Sequence, residues 1–322
     1  MFDRIATKFL PLLVLAGVLH SAGASAATVK VTPLGSQSGE FCQLDRALIF
    51  EDPDGTRLLY DAGRTVAGAD DPRLGKIDVV LVSHMHGDHV GDKRIEAAGE
   101  AECKATKFPV GSLPNTNSVD IALAKNAQII TGSEMPKFFG QKLKAAGGDP
   151  KKSKLVRFGA QRKVGGVTIT TVPAAHSNGI SGDMVGGDLG AMLNAAGLTA
   201  YAGPPTGYVL SFSNGLVVYL SGDTGITAEQ KDVVKNHYNA QLVVINIGDN
   251  FTTGPKEAAW VVSKLIKPNA VIASHANQPS TKGGEVIEGT RVDEFRKSLK
   301  IPVHVPLSGI TMEFDKKGKL QE

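Results

Sequence analysis

Three histidines and an aspartate lie close together after an apolar segment at residues 77–82. They belong to the run His84-Met85-His86-Gly87-Asp88-His89. Side chains two positions apart on extended backbone point the same way, so His84 and His86 can bind one metal ion. Asp88 and His89, beyond the intervening glycine, then face a second ion. Imidazole and carboxylate suit zinc and its neighbours, so we predict a metal site rather than a hydrogen-bonded surface loop.

Two histidines much further along the chain occupy positions from which they can complete this site. His176 follows a strand-like run at residues 167–172, and His275 follows another at residues 270–274. A side chain at the end of a strand is held by a rigid scaffold, which a metal ligand needs. We therefore predict that His176 and His275 join the first cluster.

The elements that must position these residues form two halves with a similar plan. In the first half, strand patterns typical of an antiparallel meander precede alternating helices and strands; the strands are at residues 29–34, 43–50, 57–61, 128–131 and 155–158, and the helices at 119–126 and 134–146. In the second half, a hairpin precedes the same alternation; the strands are at residues 207–212, 216–220, 242–247 and 270–274, and the helices at 228–236, 255–266 and 285–299. This plan favours two sheets packed face to face with helices outside.

Residues 178–205 differ from both halves because they are rich in glycine and alanine, with scattered apolar side chains such as Met184 and Met192. The segment begins two residues after His176, and long loops beside ligands are often functional. We predict a lid over the site. An ordinary surface insertion is the alternative.

The amino-terminal residues have the pattern of an export signal. Arg4 and Lys8 accompany an apolar stretch at residues 9–19, and Ala24-Ser25-Ala26 fits a cleavage site. The apolar stretch is too short to span a bilayer as a permanent helix. We therefore predict a signal peptide at residues 1–27 that is removed, and a single mature domain at residues 28–322. The mature protein is then periplasmic or secreted and keeps no stable membrane anchor.

The charge balance argues against a nucleic-acid partner. The whole chain has a formal net charge of +3, and loss of Asp3, Arg4 and Lys8 with the signal lowers it by one, to +2. No basic stripe with interleaved aromatic residues is present. A hydrophobic content of 42% is enough to build a large core. We expect a small-molecule substrate, and the sequence leaves the oligomeric state open.

The chain has two cysteines, Cys42 and Cys103. In an oxidising compartment they can form one disulfide that closes a long loop. Two buried free thiols are an equally good interpretation, because the sequence does not give the distance between them. Neither cysteine has metal-ligand spacing to a neighbour.

The ligand pattern resembles the metallo-β-lactamase superfamily, whose hallmark is H-x-H-x-D-H followed by His, Asp and His. Every one of these positions is filled here, the later aspartate by Asp223 in the run Ser221-Gly222-Asp223-Thr224-Gly225. The resemblance covers nearly all of residues 28–310. It implies an α/β fold, a four-layer αβ/βα sandwich of two mixed sheets with flanking helices. The run Leu59-Tyr60-Asp61-Ala62-Gly63, at the end of the strand at 57–61, resembles the family's first strand-end motif, in which Asp61 supports the site from outside.

The resemblance also implies two divalent metal ions, with Zn²⁺ as the first choice and Mn²⁺ or Fe²⁺ as alternatives. It assigns the first ion to His84, His86 and His176, the second to Asp88, His89 and His275, and the bridging position to Asp223. Taken alone, Asp223 has an Asx turn as its ordinary interpretation. Its place after a strand in a chain with the other ligands favours metal binding.

Two such cations can hold a bridging water, lower its pKa towards about 7 and stabilise both reacting oxygens. We predict that Asp88 orients this nucleophile and moves its proton to the leaving group. Tyr201 and Tyr208 are further candidates as donors to a substrate oxygen, with core packing as the ordinary alternative. Asn250 and Asn277 also follow strand ends near the predicted ligands.

These features predict an exported hydrolase of a lactone or carboxylic ester. The acidic residue at position 223 argues against β-lactamase activity, because the antibiotic-destroying members have cysteine or no bridging side chain there. The strand with Gly207 and Tyr208, which leads to the run Ser221-Gly222-Asp223-Thr224, most resembles the branch of L-ascorbate-6-phosphate lactonase and N-acyl-phosphatidylethanolamine phospholipase D.

Other functions stay open. A phosphodiesterase needs arginine or lysine beside the metals, and the candidates are Arg46, Arg64 and Lys282, for which a solvent-facing position is the ordinary expectation. A mononuclear iron persulfide dioxygenase uses a comparable ligand set. A non-catalytic metal-binding protein is a further alternative. The electron-transferring diiron branch is disfavoured, because the resemblance would place a glutamate ligand in that branch at the position that His86 occupies here.

Overall fold

Two seven-stranded sheets dominate the structure, a computed structural model that describes residues 27–321. The predicted signal peptide, apart from Ala27, lies outside the described residues. Within residues 27–321, no helix combines the length and the apolar character needed to cross a bilayer.

The strands and helices alternate along the chain much as the two-half plan predicts. In chain order the strands are β1 (Val29–Pro33), β2 (Leu48–Glu51), β3 (Arg57–Tyr60), β4 (Val79–Leu81), β5 (Lys93–Arg94), β6 (Val110–Gly111), β7 (Gln128–Thr131), β8 (Ser153–Leu155), β9 (Gln161–Val164), β10 (Val167–Pro173), β11 (Gly179–Ile180), β12 (Ala200–Tyr201), β13 (Thr206–Ser211), β14 (Val217–Leu220), β15 (Leu242–Asn246), β16 (Ala270–Ser274), β17 (Thr281–Lys282), β18 (Glu285–Val286), β19 (Val303–His304) and β20 (Met312–Phe314). The α-helices are α1 (Gly87–Val90), α2 (Asn117–Ala124), α3 (Met135–Ala145), α4 (Gly182–Val185), α5 (Gly187–Ala195), α6 (Pro255–Trp260) and α7 (Arg291–Lys297). A 3₁₀ turn and two π-helices complete the set, at Pro150–Lys152, Gln230–Lys235 and Val261–Ile266.

Both sheets are mixed and have a similar organisation. The first sheet has the order β20-β1-β2-β3-β4-β7-β8, in which β1, β2 and β3 form the predicted antiparallel meander and β3, β4, β7 and β8 run parallel. The second has the order β19-β16-β15-β14-β13-β10-β9, antiparallel from β9 to β14 and parallel from β14 to β19. The parallel strands of each sheet therefore end at a common edge, where loops can converge.

The core has three layers of apolar contacts, which explains the four-layer architecture. Side chains alternate between the faces of a strand, so Val79 and Leu81 face the second sheet while Val80 packs against α2 and α3. A third cluster covers the other face of the second sheet with α6, α7 and the two π-helices. The predicted sandwich of two mixed sheets with flanking helices is confirmed.

Tyr208 links the two sheets and is not a substrate donor. Its side chain is fully buried, and its hydroxyl donates to the carbonyl oxygens of Val82 at 2.7 Å and Ile130 at 3.1 Å. The prediction of a substrate contact was therefore wrong for this residue, because the hydroxyl serves backbone groups at the sheet interface. Its ordinary alternative, core packing, applies.

Two predicted elements begin later than the sequence pattern indicates. The strand expected from residue 43 starts at Leu48, because the preceding loop is tied down by Asp45, whose carboxylate accepts from the amides of Ser36 and Cys42. The helix expected over 285–299 starts at Arg291. Strands β17 and β18 pair first, and Thr290 then caps the helix by accepting from an amide one turn on.

Cys42 and Cys103 form a disulfide, with their Cα atoms 4.9 Å apart. This separation lies within the range that a disulfide requires. The bond attaches the loop at residues 34–47 to the segment that follows β5. Of the two interpretations open for these cysteines, the structure therefore has the disulfide.

Residues 178–205 fold into the β11–β12 pair and the helices α4 and α5. Asn178 attaches the segment to the histidine-rich loop, because its Oδ1 accepts from the Met85 amide at 2.8 Å and its Nδ2 donates to the Gly203 carbonyl at 2.9 Å. On α5, Leu189 and Met192 stay exposed. The role of this segment as a lid stays a prediction.

Candidate metal centre

Loops at the carboxyl ends of strands from both sheets bring the predicted ligands together. The loop after β4 and the first turn of α1 provide one part of the set, namely His84, His86, Asp88 and His89. The loops after β10, β14 and β16 provide the other part, namely His176, Asp223 and His275. We call these seven residues the His/Asp cluster. All the predicted ligands lie in it, although they come from opposite halves of the sandwich.

The first group in the cluster consists of His84, His86 and His176. The Nε2 of His84 lies 3.0 Å from the Nδ1 of His86, and the Nε2 of His176 lies 3.3 Å from that same Nδ1. Nitrogen ligands about 2.0–2.1 Å from a tetrahedral zinc ion are themselves roughly 3.3 Å apart. The spacing of these ring nitrogens therefore matches one metal ion.

The second group consists of Asp88, His89 and His275. The Oδ2 of Asp88 lies 3.6 Å from the Nε2 of His89 and 3.7 Å from the Nε2 of His275. These spacings are wider than in the first group, but the three ligand atoms still lie within 4.8 Å of one another. One carboxylate and two imidazoles are a donor set that suits a divalent cation.

Asp223 lies between the two groups. Its Oδ2 is 2.9 Å from the Nε2 of His275 and 3.4 Å from that of His89, and also 3.8 Å from His84 and 3.7 Å from His176 on the other side. One carboxylate oxygen thus contacts both groups. This is the position that the resemblance implies for a bridging residue.

A buried atom without a partner supports the fit of metal ions to this cluster. The Nε2 of His89 is buried and makes no hydrogen bond among the described residues. Buried polar atoms are normally satisfied, and a bound ion is one explanation for an exception. The atom lies among the other candidate ligands, so a bound cation would give it a partner.

Asp61 and Ser83 orient two of the imidazoles from behind. The Asp61 carboxylate lies 2.8 Å from the Nδ1 of His89 and accepts from the Ser83 hydroxyl at 2.7 Å, and that hydroxyl is 2.9 Å from the Nδ1 of His84. Partners at Nδ1 leave Nε2 free to bind a metal. Asp61 itself is held at a positive φ of 43° after β3. The structure therefore places it where the resemblance implies, outside the ligands and in contact with them.

Burial and neighbouring charges set the protonation states. Burial lowers the pKa of His84 well below its usual value and also lowers that of His86, His176 and His275. Burial has the same effect on His89, but Asp223, Asp88 and Asp61 outweigh it and raise the pKa of His89 well above the usual value. In the metal-free protein His89 therefore holds a proton that a metal must displace.

We expect metal binding to release this proton. Because the pKa of His89 is raised, the residue stays protonated through neutral pH, and metal affinity should rise with pH until pH exceeds that pKa. Zinc titration calorimetry in buffers of different ionisation enthalpy measures the proton count, which we expect to be about one per protein at pH 7. An affinity that does not change between pH 6 and 8, with no proton released, would contradict this prediction.

Arg46, which the sequence offered only as a candidate phosphate ligand with a solvent-facing position as the ordinary expectation, pairs instead with Asp88. Its buried guanidinium donates to the Oδ2 of Asp88 from Nε at 3.2 Å and from Nη2 at 3.1 Å, and from Nη2 to the Oδ1 of Asn277 at 2.7 Å. Burial opposes the charge on Asp88, but His89, Arg46 and His275 outweigh it and lower the pKa of Asp88. Arg46 is therefore buried rather than solvent-facing. Its guanidinium pairs with Asp88 and positions that carboxylate.

A cleft of about 480 Å³ opens onto the cluster. Its wall has apolar and polar contributions, including Leu44, Phe251, Asn250, Asn277, Arg64 and Arg291. The two asparagines line this cleft, and their contact with a substrate stays a prediction. Tyr201 is 77% exposed and lies outside this wall, Lys282 is exposed on the β17–β18 hairpin, and the wall does not include residues 178–205.

Comparison by sequence relates the chain to metal-dependent hydrolases. The sequence model of the beta-lactamase superfamily domain matches residues 45–275, a range that contains the whole His/Asp cluster. A UPF0173 metal-dependent hydrolase of Cupriavidus taiwanensis is 32% identical over 249 residues, which are 76% of this chain and 73% of that protein. Another UPF0173 metal-dependent hydrolase, from Koribacter versatilis, is 28% identical over 227 residues, which are 69% of this chain and 77% of that protein.

Comparison by structure finds the same fold in distant proteins. Igni18, a metallo hydrolase from the archaeon Ignicoccus hospitalis, superposes with a TM-score of 0.58 at 21% identity, over 89% of this chain and 99% of that one. The metallo-beta-lactamase fold protein YhfI from Bacillus subtilis superposes with a TM-score of 0.55 at 16% identity, again over 89% and 99%. At these identities the comparison shows the fold alone.

Proposed function

The chain belongs to the beta-lactamase superfamily and is a metal-dependent hydrolase, and from this premise we propose that it hydrolyses a lactone or carboxylic ester with two divalent ions. The observation that carries the proposal is the position of Asp223, whose Oδ2 contacts both groups of the cluster. A carboxylate shared in this way suits two ions better than one. Zn²⁺ fits the imidazole-rich first group, with Mn²⁺ or Fe²⁺ as alternatives.

In this proposal each part of the cluster has a separate task. His84, His86 and His176 would hold one ion, Asp88, His89 and His275 would hold the other, and Asp223 would be shared between them. When bound, the ions supply an acidified water and stabilise negative charge on the reacting oxygens. Arg46 fixes the Oδ2 of Asp88, which leaves Oδ1 to orient the attacking water and accept its proton. Asp61 and Ser83 keep the imidazole Nε2 atoms pointed inward.

The cleft supports an ester or lactone substrate with an apolar portion. Leu44 and Phe251 contribute an apolar surface above the ligands, and Phe251 is 70% exposed. A carboxylic ester places a carbonyl at the ions and its hydrocarbon part against this surface. Phosphodiester hydrolysis is a second candidate, because Arg64 and Arg291 also line the cleft and guanidinium groups bind phosphate.

We further propose that the protein is exported. The disulfide between Cys42 and Cys103 supports this, because such bonds persist in oxidising compartments and are rare in the cytosol. The signal-peptide pattern at residues 1–27 agrees with it. Amino-terminal sequencing of protein recovered from a periplasmic extract and from the culture medium tests export and locates the cleavage.

The proposed activity is tested with a matched set of an aryl ester, a γ-lactone, a phosphodiester and a β-lactam, using protein of known metal content. We expect turnover of the ester or lactone that a chelator abolishes and added Zn²⁺ or Mn²⁺ restores. Asp88→Asn should lower kcat by roughly a hundredfold or more, whereas Asp232→Asn, at an exposed carboxylate, should not change it. Full turnover by metal-free protein would refute the proposal, and selective turnover of the phosphodiester would establish the second candidate.

A further inference from the structure

Arg64 and Arg291, which line the cleft, and Arg46, which lies behind Asp88, differ in how their charge is balanced. Arg46 pairs with Asp88, and Arg64 pairs with both carboxylate oxygens of Asp92, at 2.6 Å and 2.8 Å. Arg291 donates from Nη1 to the Ala276 carbonyl at 2.9 Å and makes no ion pair within residues 27–321. Arg291 therefore carries the positive charge of the cleft wall that no protein carboxylate balances.

The backbone holds Arg291 next to the metal cluster. Ala276 directly follows His275, so the carbonyl that accepts from Arg291 belongs to the same loop as a predicted ligand. One hydrogen bond anchors the guanidinium, which has five N–H donors in all. The side chain is half-buried, so it has already lost part of its conformational freedom and part of its water. An anionic group in the cleft can use the free donors in a bidentate pair.

An apolar surface lies on the same cleft wall. Phe251 belongs to a turn in which Asp249 and Asn250 both have positive φ values, 56° and 51°. Two consecutive residues with positive φ give this turn a specific backbone conformation. The turn places the exposed ring of Phe251 on the wall of the cleft. Together with Leu44, the ring provides an apolar contact distinct from the charged one. The cleft thus suits a substrate that has both an apolar and an anionic part.

We propose that Arg291 binds an anionic group of the substrate, a carboxylate or a phosphate, that is not the group being hydrolysed. This inference rests on the proposed function and narrows its substrate class to lactones or esters that carry a negative charge. Arg291 is then a specificity residue, which acts on substrate binding and not on the bond-breaking step.

The test compares substrates that differ in one charge. We choose 4-nitrophenyl hemiglutarate, its neutral methyl ester, and an analogue in which a phosphate replaces the free carboxylate. In Arg291→Gln, kcat/KM for the preferred anionic substrate should fall roughly tenfold to a hundredfold, mainly through KM, while the value for the neutral ester stays within about twofold. The anionic substrate that loses more kcat/KM in Arg291→Gln, the carboxylate or the phosphate, is the preferred one. Arg296→Gln, an exposed arginine of the same helix, should leave all three values unchanged.

Binding separates a failure of this inference from a failure of the proposed function. If the wild-type protein hydrolyses none of the three esters, the proposed activity on such esters fails, and calorimetry with the unreactive N-phenyl glutaramate still measures recognition of the anion. Weaker binding to Arg291→Gln than to the wild type and to Arg296→Gln supports the inference. Equal binding to all three proteins, or equal losses of kcat/KM for the charged and neutral esters, overturns it.

Discussion

Asp223→Ala should lose bound metal and, with it, hydrolytic turnover. The Oδ2 of Asp223 lies 2.9–3.8 Å from imidazole nitrogens of both groups of the cluster, so under the proposed two-ion arrangement its loss would remove a ligand from each ion. The variant also removes a negative charge that helps to raise the pKa of His89. Because changes merely behind a ligand cost about tenfold to a hundredfold in metal affinity, we expect a loss above roughly a hundredfold here.

Competition with a chromophoric chelator measures this loss directly, and mass spectrometry of the purified protein gives the metal content. Asp232→Ala is the matched control, since its carboxylate is exposed on the π-helix at Gln230–Lys235. Thermal unfolding of metal-free samples shows whether Asp223→Ala still folds. A folded variant with full metal content and unchanged turnover would rule out the bridging role.

Removal of the disulfide should have the largest effect on stability. Cys42 and Cys103 are separated by 61 positions, and in the chain-entropy model a cross-link over such a loop stabilises the folded state by about 4 kcal/mol. The same bond fixes the loop that carries Arg46, so we also expect the contact between Arg46 and Asp88 to loosen and turnover to fall.

Urea unfolding of the oxidised protein, the reduced protein and the Cys42→Ser/Cys103→Ser variant measures the difference. The reductant should lower the free energy of unfolding of the wild type and leave that of the double variant unchanged. This second comparison excludes a general effect of the reductant. Identical unfolding curves for all samples would show that the disulfide adds nothing to stability.

Local patterns in the sequence were enough to bring the candidate histidines and Asp88 together, whereas Asp223 was added through the family resemblance. His84 and His86 share a face of extended backbone, and His176 and His275 each follow an apolar run long enough to be a buried strand. The alternation of such apolar runs with helical segments also predicted the plan of the two halves. The antiparallel start of each sheet was indicated by short strands separated by turn residues.

Features that depend on contacts between distant segments could not be predicted in this way. Arg46 and Asp88 are 42 positions apart, and no periodicity relates a loop arginine to a carboxylate in another loop. Arg291 appeared as an ordinary charged residue within a longer helix. In the structure the β17–β18 hairpin and the Thr290 cap make the helix begin at Arg291, and this start places Arg291 beside the cleft.

The division of the cluster between the two sheets determines when a metal can be acquired. His84 and His86 are synthesised early, but Asp223 and His275 follow only after most of the chain has been made. A nascent amino-terminal half therefore offers an incomplete and weak site, and the full set of donors exists only after both sheets have packed. Metal uptake would then be a late event in biosynthesis, and a metal ion held by ligands from both sheets would cross-link the two halves of the sandwich.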